Sequence, residues 1–335
     1  MTLFRKKAPP NPLAGWQVDP ATIRTVGHDL SRPECILAER NGSLWAADAR
    51  GGVMHIRPDG SQRLITQTGS TDGSLPNGLA FARSGDVLIA DFGTDRLEAM
   101  TRDGQIRTLC DSIDGMPLGK VNFVLRDSRD RLWITVSTRI NPWSEAISSR
   151  QADGYVALID GKRIRIVADG FAFTNEIRLD AKEEWLYVAE TCARRVMRLR
   201  VAADGSLHDR EVFGPGSLGS GLIDGIAFDA YGNLWATMIF ADRLVAITPQ
   251  GDLLNILDDG DREAAARFDA EFARGTTVSV ETMSATGGKI APWLTSITFG
   301  GADLGTVYLG SVKGSAIPFF ASPVAGLPMV HWRER

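Results

Sequence analysis

The stretch SGLIDGIAFDAYGNLWATMIFADRLVAITPQGD, from Ser220 to Asp252, alternates apolar and polar residues over short runs separated by Asp- and Gly-containing turns. It reads as three short antiparallel strands with one buried face. Asp224 stands at the head of the first strand. A carboxylate there is harder to solvate than one in a loop, so the position calls for a reason.

The same strand-then-turn unit recurs along the chain. Its copies are SLWAADARGGVMHIRPDG, DVLIADFGTDRLEAMTRDG, RLWITVSTR, WLYVAETCARRVMRLRVAADG, NLWATMIFADRLVAITPQG and TVYLGSVKGSAIPFF. The marker residues Trp45, Leu88, Trp133, Tyr187, Trp235 and Tyr308 are separated by intervals of 43, 45, 54, 48 and 73 residues. Most of these match the length of one propeller blade. Six units of about four strands predict an all-β, six-bladed β-propeller over residues 31–322, with a loose N-terminal arm (1–30) and a C-terminal tail (323–335). The longest interval holds DGDREAAARFDAEFARG, whose Asp261 start and Gly275 stop predict a helical insertion, about 259–290, before the last blade. Such an insert is either a lid over one face or surface decoration.

Counting back from each marker finds a polar residue at a nearly fixed offset. Glu34, Asn77, Asn122, Asn175, Asp224 and Ser296 precede their markers by 11, 11, 11, 12, 11 and 12 residues. The first strand of each propeller blade lines the central channel, so equivalent positions should converge in a ring. One Asn or Asp in such a place commonly caps a strand or bonds to nearby backbone. A repeated set of six is a buried polar cluster that needs a common partner. With two carboxylates, several amide oxygens and neither Cys nor His, a hard divalent cation fits, Ca²⁺ first, with Mn²⁺, Mg²⁺ or Zn²⁺ as alternatives.

The rest of the composition narrows the class. The chain has 335 residues, 44% of them hydrophobic, and a net charge of -4 with no Lys/Arg-rich block, which disfavours nucleic acid as a partner. No apolar run approaches the roughly 20 residues a spanning helix needs, so no membrane partner is expected. The three cysteines, Cys35, Cys110 and Cys192, are far apart, and no apolar run of signal-peptide length follows the basic N-terminus; a cytoplasmic protein is expected.

At the ring positions the chain resembles the senescence-marker-protein/gluconolactonase/luciferin-regenerating-enzyme family. The resemblance rests on RPEC around Glu34, PNGLAF around Asn77, TNEIRLDAKEEWLYVAET around Asn175, IDGIAFDAYGNLWAT around Asp224, and TSITFGGADLGTVYLGS near the C-terminus. It implies a six-bladed propeller with an axial divalent metal held by Glu34, Asn122, Asn175 and Asp224, and hydrolysis of a small-molecule lactone. It also implies that Lys120, where many sugar-lactonase members carry Arg, contacts substrate; Asn77 and Ser296, as channel lining, and Phe123, as the floor, are expected to complete the substrate site. Three positions depart from the family pattern: Cys35 and Glu176 where Gly is common, and Phe123 where Asp is common. Lys for Arg gives up a bidentate fork, and Phe123 makes the floor less polar, so a less hydroxylated lactone than a sugar lactone is expected.

On that reading the cation polarises the lactone carbonyl, water attacks, and Asp224 either takes the proton or attacks directly. Hydrolysis of aryl esters or organophosphorus compounds at the same centre is one alternative, and a non-catalytic propeller stapled by its ion and binding a protein is another. GPGSLG, Gly214 to Gly219, matches a dinucleotide-binding pattern but leads into a strand, and there is neither a G-x-S-x-G elbow nor an H-E-x-x-H motif.

Overall fold

The structure is a computed structural model that describes residues 9–68 and 73–334. Residues 1–8 of the expected arm and Arg335 of the expected tail lie outside the described residues. Six four-stranded antiparallel sheets form the blades of a six-bladed β-propeller. All six marker residues fall on second strands: Leu44–Asp48, Val87–Asp91, Leu132–Val136, Trp185–Glu190, Leu234–Ile239 and Thr306–Ser311.

A recurrent polar contact explains the markers. Trp45, Trp133 and Trp235 are buried, and each donates its indole N–H to an acid six residues upstream: Glu39 at 2.7 Å, Asp127 at 2.9 Å and Asp229 at 2.9 Å. The aromatic ring fills the space between blades while its one donor is satisfied at the hairpin before it. Inner strands such as Pro76–Phe81, Val121–Arg126 and Leu222–Phe228 are buried along their whole length, whereas outer strands such as Leu207–Phe213 are mostly exposed. Burial therefore falls from the axis outward, and the polar residues of the inner strands are buried with the rest.

The arm is not loose over its described part. Arg24–Val26 pairs with Ile317–Ala321 as the outermost strand of the last blade, so the two ends of the chain close the ring in one sheet. Upstream, Leu13 is fully buried, Trp16 packs against Trp235 and Phe320, and the Val18 N–H donates to Ile256.

The expected insertion contains two helices, Arg262–Phe272 and Val280–Ser284. Asp261 caps the first, accepting from the backbone N–H groups of Glu263 and Ala264. Phe268 and Phe272 bury its apolar face against Phe240. A second stretched segment, around the 3₁₀ turn Trp143–Ala146, meets this insertion: Ser148 donates to the Gly275 carbonyl and Thr277 to the Glu145 carbonyl. The segments that lengthen the third and the last intervals thus meet above one end of the channel.

Candidate active site

The ring residues sit where their strands lose regular pairing. Ladder register slips between Pro76 and Leu79, Val121 and Phe123, Thr174 and Ile177, Ile223 and Ile226, and Leu294 and Ile297. In the first blade, Glu34 lies just before the inner strand Ile36–Ala38. A bulge turns a side chain out of the alternation a regular strand imposes. Repeated around the axis, it aims one polar side chain per blade at the channel.

Glu34, Asn77, Asn122, Asn175 and Asp224 line one cavity of about 150 Å³. Thr295 lines it in the last blade, whereas the neighbouring Ser296 is buried and does not. Asn77 is fully engaged: its amide donates to Glu34 Oε1 and to the Asn122 carbonyl, both at 3.0 Å, and its oxygen accepts from Arg32 at 2.7 Å. By contrast, Asn122 Oδ1, Asn175 Oδ1 and Asp224 Oδ1 are buried without a partner. Orphaned buried acceptors are rare and demand one. Three oxygens with the Glu34 carboxylate form an all-oxygen set of the kind that fits a hard divalent cation. Among the described residues no group of three or more His, Cys, Asp or Glu is assembled, because half of this set is carboxamide.

Charge in the ring is under strain. Burial, then the neighbouring Glu34 and Glu176 carboxylates, hold Asp224 well above the usual range. Glu34 is also raised, by burial first, against the opposing pull of Arg32.

Beneath the ring lies a second layer, one residue along each strand, and it contains the three departures from the family pattern. Glu176 is buried, pushed up to about 7 by burial, and held by Arg178 at 2.8 Å and by the Ile226 N–H at 3.1 Å. The Arg178 guanidinium lies 4.6 Å from the Phe123 ring centre, and Cys35 Sγ accepts from the Leu79 N–H. Glycines on neighbouring blades admit two of these larger groups: a Cβ on Gly78 would meet Phe123 at 2.6 Å, and one on Gly225 would come within 3.2 Å of Glu176 Oε1. Phe123 is therefore part of the plug under the ring and does not line the cavity. Lys120 also stays outside it, with its ammonium 2.8 Å from Asp95 and bonded to the Phe92 carbonyl.

The cavity walls are apolar, dominated by Phe92, Trp143, Phe173, Phe240 and Trp293. The helical insertion supplies none of the lining; it supports the wall from behind through the stacked Phe240–Phe268 pair, with ring centres 4.5 Å apart. Arg32, Phe173, Phe240 and Trp293 all have positive φ, between 56° and 69°, a backbone conformation unfavourable for side chains of this size. Four such residues around one cavity indicate that the surrounding structure holds them to aim their side chains. Arg32 and the aromatic wall were missed from sequence; the available signal was a cation two residues before the first ring acid.

A family model described as the SMP-30/Gluconolactonase/LRE-like region matches residues 32–265. The 6-deoxy-6-sulfogluconolactonase of Pseudomonas putida is 22% identical over 183 residues, which are 52% of this chain and 53% of that protein. The match thus spans about half the length of that curated relative. A gluconolactonase structure from Xanthomonas campestris aligns with a TM-score of 0.66 at 19% identity, covering 91% of this chain and 89% of that one. Regucalcin, a calcium-binding protein from Agrobacterium tumefaciens, aligns at 0.63 and 14%, covering 90% and 92%. At these identities the structural likeness establishes the shared fold.

Proposed function

The chain belongs to the SMP-30/gluconolactonase/LRE-like family, and on that premise we propose that it is a metal-dependent hydrolase that opens a lactone. One observation carries the proposal: three orphaned buried oxygens converge beside Glu34 at the polar end of an otherwise apolar cavity. Glu34, Asn122, Asn175 and Asp224 would hold the ion, with Ca²⁺ the first choice. When bound, it supplies Lewis-acid polarisation of the ring carbonyl and charge to offset the developing oxyanion.

The chain's own groups do the rest. Asp224 directs an unpartnered oxygen at the cavity and accepts the proton of the attacking water. Water adds to the acyl carbon, the acyl–oxygen bond breaks, and the ring oxygen leaves as a hydroxyl by taking back the proton held on Asp224, giving a hydroxy acid. The aromatic wall positions the lactone ring and keeps other water away, which strengthens each polar interaction inside.

The test uses chelator-stripped protein with a panel of γ- and δ-lactones, with and without Ca²⁺, Mn²⁺ and Zn²⁺. Ion-restored turnover is expected, together with a melting temperature that rises with ion concentration. Ion binding without turnover of any lactone would overturn the reading in favour of a structural staple. Turnover confined to aryl esters or organophosphorus compounds would reassign the substrate.

A further inference from the structure

Arg32 presents a guanidinium to this cavity with most of its hydrogen-bonding capacity unused. Of the five N–H donors such a group carries, one reaches the Pro76 carbonyl at 3.1 Å and one reaches Asn77 Oδ1 at 2.7 Å. It forms no salt bridge with a carboxylate of the described residues. Glu34, Asp224 and Asp91 favour its charge from a distance while burial works against it. Its left-handed backbone, φ 56°, is a conformation that a residue free to relax would leave. An extended arginine elsewhere on the surface would have none of these burdens.

The surroundings limit what those donors can meet. The cavity, about 150 Å³ in volume, has an aromatic wall, and a space of roughly that size holds a body as large as a benzene ring. Adding a divalent cation to Arg32, Glu34 and Asp224 leaves the cavity with excess positive charge. In an apolar enclosure that excess is best offset by an anion on the ligand.

We propose that Arg32 selects ligands with a single apolar ring bearing a carboxylate, so that the substrate is a carboxylate-substituted lactone. The assignment of a lactone rests on the hydrolase reading above; the preference for a carboxylated ring does not. The carboxylate accepts from the free edge of the guanidinium, a planar fork suited to it. The ring lies against Phe92, Trp143 and Phe240, and the reacting ester faces Asp224.

The test has a binding arm and a turnover arm. Binding of benzoate and of benzamide, a neutral molecule of similar shape, is followed by quenching of tryptophan fluorescence, in stripped and Ca²⁺-loaded protein. The wild type should favour benzoate by roughly tenfold to a hundredfold, as for a charge-assisted hydrogen bond. Arg32→Gln should remove that preference, and Arg32→Lys should keep part of it. Ca²⁺ affinity, measured in parallel, separates this role from simple support of Glu34 through Asn77: a variant with weaker Ca²⁺ binding but an unchanged benzoate-to-benzamide ratio overturns the proposal. If Arg32→Gln fails to fold, equal binding of the two probes by wild type overturns it alone. The turnover arm compares γ-butyrolactone-γ-carboxylate with its methyl ester. Arg32-dependent benzoate binding without hydrolysis of either lactone would leave this inference standing and the hydrolase reading refuted; hydrolysis of both at equal kcat/KM would do the reverse.

Discussion

The central channel ends in two different ways. Where the inner strands begin, bulged backbone turns polar side chains toward an apolar cavity, and buried oxygens are left without partners. Where they finish, the C-terminal tail covers the opening with satisfied contacts. Leu327 N–H donates to Phe228 and Ala230 N–H to Ala325, His331 reaches the Ala38 carbonyl at 2.9 Å, and Arg126 is paired with Glu334. Met329 touches two core clusters and Trp332 is buried. One end is closed for stability; the other accepts unsatisfied groups and left-handed backbone. A fold with pseudo-sixfold repetition therefore has two unlike ends, because its tail covers one, while at the other the Trp143 segment lines the cavity and the helical insertion supports the wall from behind.

Breaking the working end should have the largest effect. Asp224→Ala is expected to lower kcat by about 10²- to 10⁴-fold, the usual range for a positioned general base, and to weaken ion binding. Its melting temperature without ion should hold or rise, because a crowded buried carboxylate is removed. Near-normal turnover would dissolve the contrast between the ends.

The closed end should show the opposite signature. Trp332→Ala is expected to lose about 3–5 kcal/mol of stability with kcat/KM of the folded protein unchanged. Denaturant unfolding beside a kinetic assay checks this, and a matched loss of activity would show that the ends are coupled.

A finer probe is the partly exposed wall residue Trp143, packed edge-on against Phe92 with ring centres 5.6 Å apart. Trp143→Ala should raise KM roughly twofold to tenfold, in line with the aromatic-pair contribution, and change kcat less. An equal fall in both kcat and kcat/KM would place the residue in the transition state instead.

The smallest effect concerns Glu98, behind the working face. Burial and then Asp91 push it up to about 7 from 4.5. The folded state thus holds this proton more tightly than the unfolded state. The stability it contributes is complete below about pH 4.5 and lost as pH rises through about 7. Glu98→Gln should remove that slope, so its melting temperature should gain on wild type between about pH 5 and 8. Parallel curves would show that Glu98 is solvated better than its surroundings suggest.

Sequence pattern carried the architecture because the markers repeat and side-chain alternation has a fixed period. The ring followed from a nearly fixed offset of 11 or 12 residues, which missed by one position in the last blade, where Thr295 and not Ser296 lines the cavity. Arg32 shares its place two residues before a ring residue with one other cation, Lys120, while the remaining blades carry Leu75, Phe173, Leu222 and Leu294 there, so the repeat did not single it out. Lys120 and Phe123 flank Asn122 and were expected to face substrate, but the bulge between Val121 and Phe123 changes which side chains point into the cavity. The tail's route across the channel was equally hidden, as its contacts, such as Arg126 with Glu334 and Asp229 with Gly326, join residues far apart in the chain.

The sequence by itself determined the six blades, the helical insertion and the residues that head the inner strands, because these depend on local alternation and regular spacing. Only the tertiary structure decided which side chains share the cavity, which form the plug beneath it, and which end stays open. Those outcomes depend on local register slips and on long-range packing between insertions, arm and tail, and neither leaves a periodic trace in the order of residues.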